Sequence, residues 1–187
     1  MKKSLFLALV ILLAAGSFTS INAQTDPSVK SEVNNIRAAY AKAKKEIAQN
    51  DAGTTRERSD MVVTSHYMVP SCGLCTETIH YYYTLKIDEL TTQPYYLIYF
   101  ITRKYNVAAR QFYEEYLYEG EGPTLKFAFR QYDEIDGNKA EERFYFNYYG
   151  LIWKLAKNNI DPADEKVMQR ESSRLESALN SLLNTPD

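Results

Sequence analysis

Histidine and cysteine, on which many catalytic and metal sites depend, are scarce in this sequence. Two of each occur among 187 residues. The sequence also has no glycine-rich phosphate loop, no GxSxG nucleophile elbow, no HExxH motif and no calcium loop. We therefore assign no catalytic residue, no cofactor and no metal ligand. Carboxylates that converge only in the fold cannot be recognised from one sequence, so a carboxylate-dependent hydrolase stays open as an alternative.

A surplus of positive charge is also missing. The chain has 22 basic and 24 acidic residues, which gives a net charge of −2 at pH 7. Proteins that bind nucleic acid need clustered lysine and arginine to neutralise phosphates. The sequence therefore predicts no nucleic-acid partner.

Only one long apolar run occurs, at residues 5–15. Lys2 and Lys3 precede it and the small residue Ala23 follows it, which is typical of a secretory signal peptide and too short for a membrane span. We expect residues 1–23 to be this leader, with cleavage near Ala23 and a periplasmic or extracellular product. Residues 24–187 have the length of a single domain without a membrane span.

Two amphipathic helices bracket the rest of the sequence. Asp26, Pro27 and Gly53 predict the ends of the first, within residues 24–53. Its apolar positions recur every three or four residues: Val29, Val33, Ile36, Tyr40, Ala43 and Ile47. Asp161 and Pro162 predict the start of the second, over residues 161–184. Its apolar positions are Met168, Leu175, Ala178, Leu179 and Leu182.

Residues 58–157 predict an antiparallel sheet. This stretch contains 15 of the 16 tyrosines, and runs rich in aromatic and β-branched residues alternate with turns rich in Gly, Asn, Asp and Pro. The predicted strands are 60–69, 76–87, 95–103, 107–119, 124–133, 140–147 and 150–156. The fold class is therefore α+β: a curved meander of six or seven antiparallel strands, packed by an N-terminal and a C-terminal amphipathic helix.

One predicted strand is apolar at every position. Residues 95–101 read YYLIYFI, as in a strand that is covered on both faces. If both helices pack on one face, the other face needs a partner subunit, a ligand, or a sheet that curls over itself. A homodimer through the sheet is one of these possibilities.

Cys72 and Cys75 form the only cysteine pair. Gly73 and Leu74 fit a two-residue hairpin loop, which would place the cysteines directly opposite each other, about 5.5 Å apart at Cα, and allow a disulfide. A thiol redox protein is an alternative, although no positive charge lies near to favour the thiolate. A zinc site with His66 and His80 requires a compact loop, because six extended residues span about 20 Å.

The same register has two further consequences. It places Tyr67 opposite His80, and the two histidines on opposite faces of the sheet. The adjacent carboxylates, such as Glu114 and Glu115, should also point to opposite faces, where we expect them to serve solubility near strand ends.

Aromatic residues on a rigid sheet suit sugar stacking or a protein interface. The pool of such residues also includes Tyr113, Tyr148 and Tyr149. The ligand-binding candidates that we select are Tyr82, Tyr96, Tyr99, Tyr116, Tyr118 and Trp153. The predicted function is an exported, non-enzymatic binding or protein-interaction module that uses a tyrosine-rich sheet face or cavity to bind a protein or glycan partner. A periplasmic enzyme and a structural subunit of an envelope assembly are the alternatives.

The segment RKYNVAARQFYEEYLYEGEGPTLKFAF, followed by EERFYFNYYGLIWKL, resembles the repeated hairpins of small exported proteins of unknown function from Gram-negative bacteria. The resemblance covers residues 95–157. It implies a helix, an antiparallel meander and an exported location, and it implies no activity or catalytic residue.

Overall fold

The computed structural model describes residues 19–20, 26–51, 59–120, 122–134, 137–158 and 163–183. Two helices lie in these ranges: α1 (Pro27–Asp51) and α2 (Glu165–Leu183). The strands are β1 (Thr19–Ser20), β2 (Ser59–Val69), β3 (Gly73–Ile87), β4 (Pro94–Val107), β5 (Arg110–Glu119), β6 (Thr124–Asp133), β7 (Lys139–Asn147) and β8 (Gly150–Lys157). No helix in these ranges is both long and apolar enough to cross a membrane.

Strands β2 to β8 form an antiparallel meander in which each strand pairs with the next one in sequence. The two residues of β1 pair with the outer side of β8, Thr19 opposite Ala156 and Ser20 opposite Leu155. The sheet is open, with β1 at one edge and β2 at the other. The predicted α+β fold with a seven-stranded meander is therefore confirmed. Because β1 lies within the predicted leader, cleavage near Ala23 would leave β8 as the outer strand.

The start of α1 is as predicted. Asp26 Oδ1 accepts the backbone N–H of Ser28 at 2.9 Å, so the carboxylate satisfies a donor that the first helical turn leaves free. The buried positions of α1 belong to the predicted apolar stripe: Val33, Ile36, Ala43 and Ile47. Gly53, the predicted stop, lies outside the described residues.

The start of α2 differs from the prediction. The helix begins at Glu165, and Asp164 Oδ1 accepts the backbone N–H of Lys166 at 3.0 Å. Asp164 therefore caps the helix, whereas Asp161, the predicted cap, lies outside the described residues. The sequence pattern assigned the cap to Asp161 and the capping-box position three residues later to Asp164, because both carboxylates precede the same apolar run.

The two helices cover opposite faces of the sheet. The α1 face packs its aromatic and aliphatic side chains against α1: Tyr82, Phe100, Leu117, Phe127 and Tyr145. The α2 face packs a second set against α2: Tyr81, Ile101, Tyr116, Ala128 and Phe144. This arrangement explains why residues 95–101 are apolar at every position, because Phe100 faces one helix and Ile101 the other. Neither a partner subunit nor a curled sheet is needed to cover that strand.

Three β-bulges interrupt the regular pairing. The register shifts between β3 and β4, between β5 and β6, and between β7 and β8. Each shift leaves one residue of the second strand without a directly opposite partner: Tyr99, Lys126 and Ile152. Bulges bend a strand and increase its twist, so the sheet bends along the line of these three residues.

The β2–β3 hairpin corrects the predicted cysteine pairing. Val69 pairs with Gly73, so the loop has three residues rather than two, and Cys75 lies opposite Tyr67 instead of Cys72. The backbone N–H of Cys72 donates to the carbonyl of Val69 at 3.1 Å. Cys72 is therefore part of the turn, and the predicted disulfide is absent: both cysteines are free thiols.

Candidate functional site

A row of alternating charges crosses the α2 face. Arg103 of β4 lies directly opposite Glu114 of β5, Glu114 opposite Arg130 of β6, and Arg130 opposite Glu142 of β7. We call these four residues the charge row. Because positive and negative side chains alternate from strand to strand, each charge has an opposite charge as its cross-strand neighbour.

Arg103 and Glu114 form the centre of the charge row. Arg103 Nη1 donates to Glu114 Oε2 at 3.0 Å, and Arg103 Nε donates to Glu77 at 2.5 Å. The hydroxyls of Tyr105 and Tyr116 donate to the two oxygens of Glu114, at 2.9 and 2.8 Å. Burial alone would lower the pKa of Arg103, but the neighbouring carboxylates outweigh it and raise that pKa above its ordinary value.

Helix α2 is attached to this centre by ion pairs. Arg103 Nη1 also donates to Glu171 at 3.0 Å, and Arg174 donates to Glu77 at 3.1 Å. Glu171 and Arg174 contact each other on the exposed side of the helix. The buried arginine therefore binds carboxylates from two other strands and from the helix that covers them.

Glu142 is the most deeply buried charge of the row, with no exposed surface. Its Oε1 accepts the Lys154 ammonium at 3.2 Å and the Ala163 backbone N–H at 2.9 Å. Its Oε2 receives no hydrogen bond from the described part of the chain. Burial raises the pKa of Glu142, and the charge of Lys154 only partly opposes that shift.

The α1 face has its own buried carboxylate, Glu115. The Tyr40 hydroxyl donates to Glu115 Oε2, and Lys44 and the Tyr113 hydroxyl donate to Oε1 at 2.6 and 2.5 Å. Tyr40 and Lys44 belong to α1, so this cluster fixes the helix to β5. Burial, followed by the charge of Glu115, raises the pKa of Tyr40 and of Tyr113 well above their ordinary value.

These carboxylates were expected to serve solubility, and that prediction is wrong. Glu114 and Glu115 do point to opposite faces, as predicted, but each is only 2 % exposed. The expectation failed because both faces of β5 are covered. Each carboxylate accepts hydrogen bonds from a cation and from tyrosine hydroxyls, and neither carboxylate lines a cleft in the described part of the chain. This geometry favours a structural role for both.

The histidines do not form a metal site. Both lie on the α1 face, since His66 pairs with Thr76 and His80 with Val62, so the expectation that they occupy opposite faces is wrong. The reason is that the turn lies at residues 70–72 instead of 73–74, which places Tyr67 opposite Cys75 instead of His80 and so shifts the register by five residues, an odd number. His80 Nε2 contacts Asp60 at 2.7 Å, and the Tyr82 hydroxyl lies 2.8 Å from Nδ1. The described residues contain no group of three or more side chains placed to bind a metal.

The six aromatic residues selected from the sequence do not share one surface. Three of them lie on the α1 face: Tyr82, Tyr99 and Trp153. The other three lie on the α2 face: Tyr96, Tyr116 and Tyr118. Tyr82, Tyr116 and Tyr118 are buried, and Tyr118 donates its hydroxyl to the Ser172 carbonyl of α2 at 3.2 Å. Most of the six therefore belong to the two cores.

Two of the six selected residues line a pair of adjoining clefts. The larger, about 560 Å³, runs between one flank of α1 and the sheet, over Ala39, Ala43 and Leu117. The second, about 320 Å³, lies beside it on the same end of β4. Both are lined by Tyr99 and Tyr118. The bulge in β4 brings Tyr99 to this position.

Two other tyrosines are far more exposed. Tyr148 and Tyr149 form the turn between β7 and β8, where their side chains are 85 % and 92 % exposed, with their rings edge to face 5.5 Å apart. The Tyr149 backbone N–H donates to Asn147 Oδ1 at 2.9 Å, and Gly150 follows at φ 127°. The turn therefore has a defined conformation while its rings face solvent.

A polar cleft of about 320 Å³ lies beside these rings. Its lining includes Asn147 and, from α2, Gln169, Ser173 and Glu176. Burial raises the pKa of Glu176. We name Tyr148, Tyr149 and this lining the turn site.

The sequence contains a signal for the turn site, two consecutive tyrosines in a turn, which tyrosine content alone does not reveal. Small or polar residues normally occupy a tight hairpin turn, and two consecutive tyrosines there cannot enter the core. The selected candidates came from the strands, where alternation buries one side chain of every two. Tyr148 and Tyr149 were in the wider pool, and a preference for aromatic residues in turns would have selected them.

Comparison with protein-family models, with curated proteins and with solved structures found no match to this chain.

Proposed function

We propose that this chain is an exported, non-enzymatic binding module that recognises a carbohydrate at the turn site. The observation that carries the proposal is the exposure of Tyr148 and Tyr149 in a fixed turn beside a polar cleft. Two large rings in water bring no folding stability, so their contact area is available to a ligand.

The chemistry of the turn site fits a sugar. The apolar face of a pyranose packs on an aromatic ring, and its hydroxyls need amide, hydroxyl and carboxylate groups near the same plane. Gln169, Ser173 and Glu176 supply those groups within one cleft. A ligand of this kind would lie across the hairpin and α2 without disturbing either core.

Titration calorimetry with chitotetraose, cellotetraose and maltotetraose tests the proposal. We expect at least one of these probes to bind, and Tyr148→Ala or Tyr149→Ala to weaken that binding. An aromatic contact worth about 0.5–1.5 kcal/mol corresponds to roughly 2- to 13-fold in affinity for each ring. Because both rings are exposed, the variants should fold as the parent does.

Leu90→Ala is the matched control. Leu90 is 95 % exposed in the β3–β4 turn, which lies at the same end of the sheet as the turn site but outside its cleft. Its replacement should leave binding unchanged. Failure of all three sugars to bind, or equal binding by the Tyr148→Ala, Tyr149→Ala and parent proteins, would exclude the turn site as a carbohydrate site.

The exported location rests on the leader at residues 1–23. Mass measurement of the product from the envelope fraction of the host should give a chain that begins near Gln24. A product that retains residues 1–23 would contradict this part of the proposal.

A further inference from the structure

The two edges of the sheet differ in their protection against pairing with another strand. Strand β8, which becomes the outer strand when the predicted leader is removed, carries Lys157 and contains a bulge, and charged residues and bulges are the devices that usually block an exposed edge. Strand β2 has no bulge, and Asp60 is its one acidic or basic residue apart from His66. It contains no lysine, arginine or proline, and it pairs with β3 through eleven consecutive residues without a register shift.

The outer edge of β2 also presents apolar side chains. Val62 is 55 % exposed and Met68 is 72 % exposed. Among the described residues, β2 pairs only with β3, so its outward backbone N–H and C=O groups are available to another strand. An edge of this length without blocking residues is suited to strand addition.

We propose that β2 pairs antiparallel with β2 of a second copy of this chain and forms a two-fold symmetric dimer. In a register centred on Val63, the nine residues from Ser59 to Tyr67 pair with the same nine residues of the second copy. Asp60 then lies opposite His66 of the second copy, and symmetry repeats this pair on the other side of the axis. No two like charges face each other in this stretch.

The contacts within one chain leave Asp60 able to make this pair. His80 contacts Asp60 Oδ2 at 2.7 Å, which leaves Oδ1 for the second copy. His66 Nδ1 lies 3.1 Å from the Thr76 hydroxyl, so its Nε2 can face outward. A register centred on Thr64 would instead place Asp60 opposite Met68, a charge against an apolar side chain, and the pairing of the Asp60 carboxylate with the His66 imidazole favours Val63 as the centre.

The resulting assembly is one continuous antiparallel sheet, with the two β2 strands in the middle. Because the two-fold axis is perpendicular to the sheet, both α1 helices lie on one side and both α2 helices on the other. The turn sites lie far from the axis, and the dimer does not depend on carbohydrate binding.

Sedimentation equilibrium of the purified protein across micromolar to submillimolar concentration tests the proposal. We expect a reversible dimer. The double variant Val62→Lys with Thr64→Lys should be monomeric over the same range, because the two positions oppose each other across the proposed interface and the lysines would meet. Both side chains are exposed in the monomer, so circular dichroism should show an unchanged fold.

Met68→Lys is the matched control. Met68 is exposed on the same face of β2 but lies outside the nine paired residues, so this variant should dimerise as the parent does. A parent protein that stays monomeric would overturn the proposal. A dimer that survives Val62→Lys with Thr64→Lys, or one that Met68→Lys disrupts equally, would also overturn it.

Charge exchange tests the register. Asp60→Lys alone and His66→Asp alone should each weaken the dimer by about 2- to 30-fold, because each change removes two symmetry-related pairs of a carboxylate with an imidazole. The two changes together place opposite charges across the interface and should recover most of the affinity. A double variant that is weaker than both single variants would refute the register centred on Val63.

Discussion

Replacing Arg103 with methionine removes the cation at the centre of the charge row. The Arg103 side chain is 10 % exposed, and it donates to Glu77 and Glu114, which are 9 % and 3 % exposed. Hydrogen bonds to charged groups are worth about 1.5–3 kcal/mol each, so these two account for roughly 3–6 kcal/mol. Loss of one partner from a buried ion pair costs about 3–5 kcal/mol by mutational comparison.

The third partner adds little to this figure. Glu171 is 27 % exposed, and a solvent-accessible pair contributes less than about 1 kcal/mol. Methionine retains much of the aliphatic volume of arginine, so the change tests charge more than packing. We therefore expect Arg103→Met to reduce the free energy of unfolding by about 4 kcal/mol, which is a large part of the roughly 5–15 kcal/mol of a typical domain.

Urea denaturation followed by circular dichroism measures this effect. With a slope of about 2 kcal/mol per molar, the midpoint should fall by roughly 2 M. Arg143→Met is the control. Arg143 lies on the α1 face, is 40 % exposed, forms an ion pair with Glu141 at 3.4 Å and lies 5.7 Å from the centre of the Phe129 ring. Because both contacts are solvent-accessible, its loss should cost about 1 kcal/mol. If Arg103→Met costs no more than Arg143→Met, the charge row does not stabilise the fold.

Three further outcomes follow from the buried groups. Burial raises the pKa of Glu142 above its ordinary value of 4.5, so the carboxyl contributes its full stabilisation below pH 4.5 and loses it as pH rises through the raised pKa. The unfolding free energy of the parent minus that of Glu142→Gln should therefore decrease above pH 4.5. A constant difference would contradict this. Burial also raises the pKa of Tyr132 to about 12 and that of Tyr116 well above 10, so stability should fall as pH rises above 10, with phenolate absorbance from buried tyrosines appearing only on unfolding. Cys72 is partly exposed and Cys75 is buried. A thiol reagent should therefore label one cysteine in the native protein and both after unfolding. A protein in which no thiol reacts would show that a disulfide forms.

Local sequence patterns were sufficient to predict the fold. Runs rich in aromatic and β-branched residues, separated by turn residues, located all seven strands of the meander, and apolar spacings of three and four located both helices. These patterns depend on the local residue types and on which sides of an element are buried. For that reason they identified residues 95–101 as doubly covered but could not say that α1 and α2 do the covering.

The predicted pairing of the two cysteines was wrong because the turn has a different backbone conformation from the one that was expected. Gly73 was expected to open a two-residue loop because glycine adopts positive φ without strain. In the structure Ser71 also has a positive φ, 66°, and Gly73 follows at 85°. A positive φ at serine is disfavoured for an L-residue, so the residue types alone favoured the shorter loop, and the true turn moved Cys75 opposite Tyr67.

The charge row could not be predicted from residue types, because lone charges on strands are usually exposed. The charge row fixes the strand register, which period-two alternation of apolar residues cannot do alone. A slip of β5 by two residues against β4 keeps every side chain on its face, and the aromatic residues around it could exchange places at little cost. The slip would place Arg103 opposite Phe112 or Tyr116 instead of Glu114, and would leave buried charges without partners. In a sheet this rich in tyrosine, the alternating charges therefore select one register among those that the apolar pattern permits.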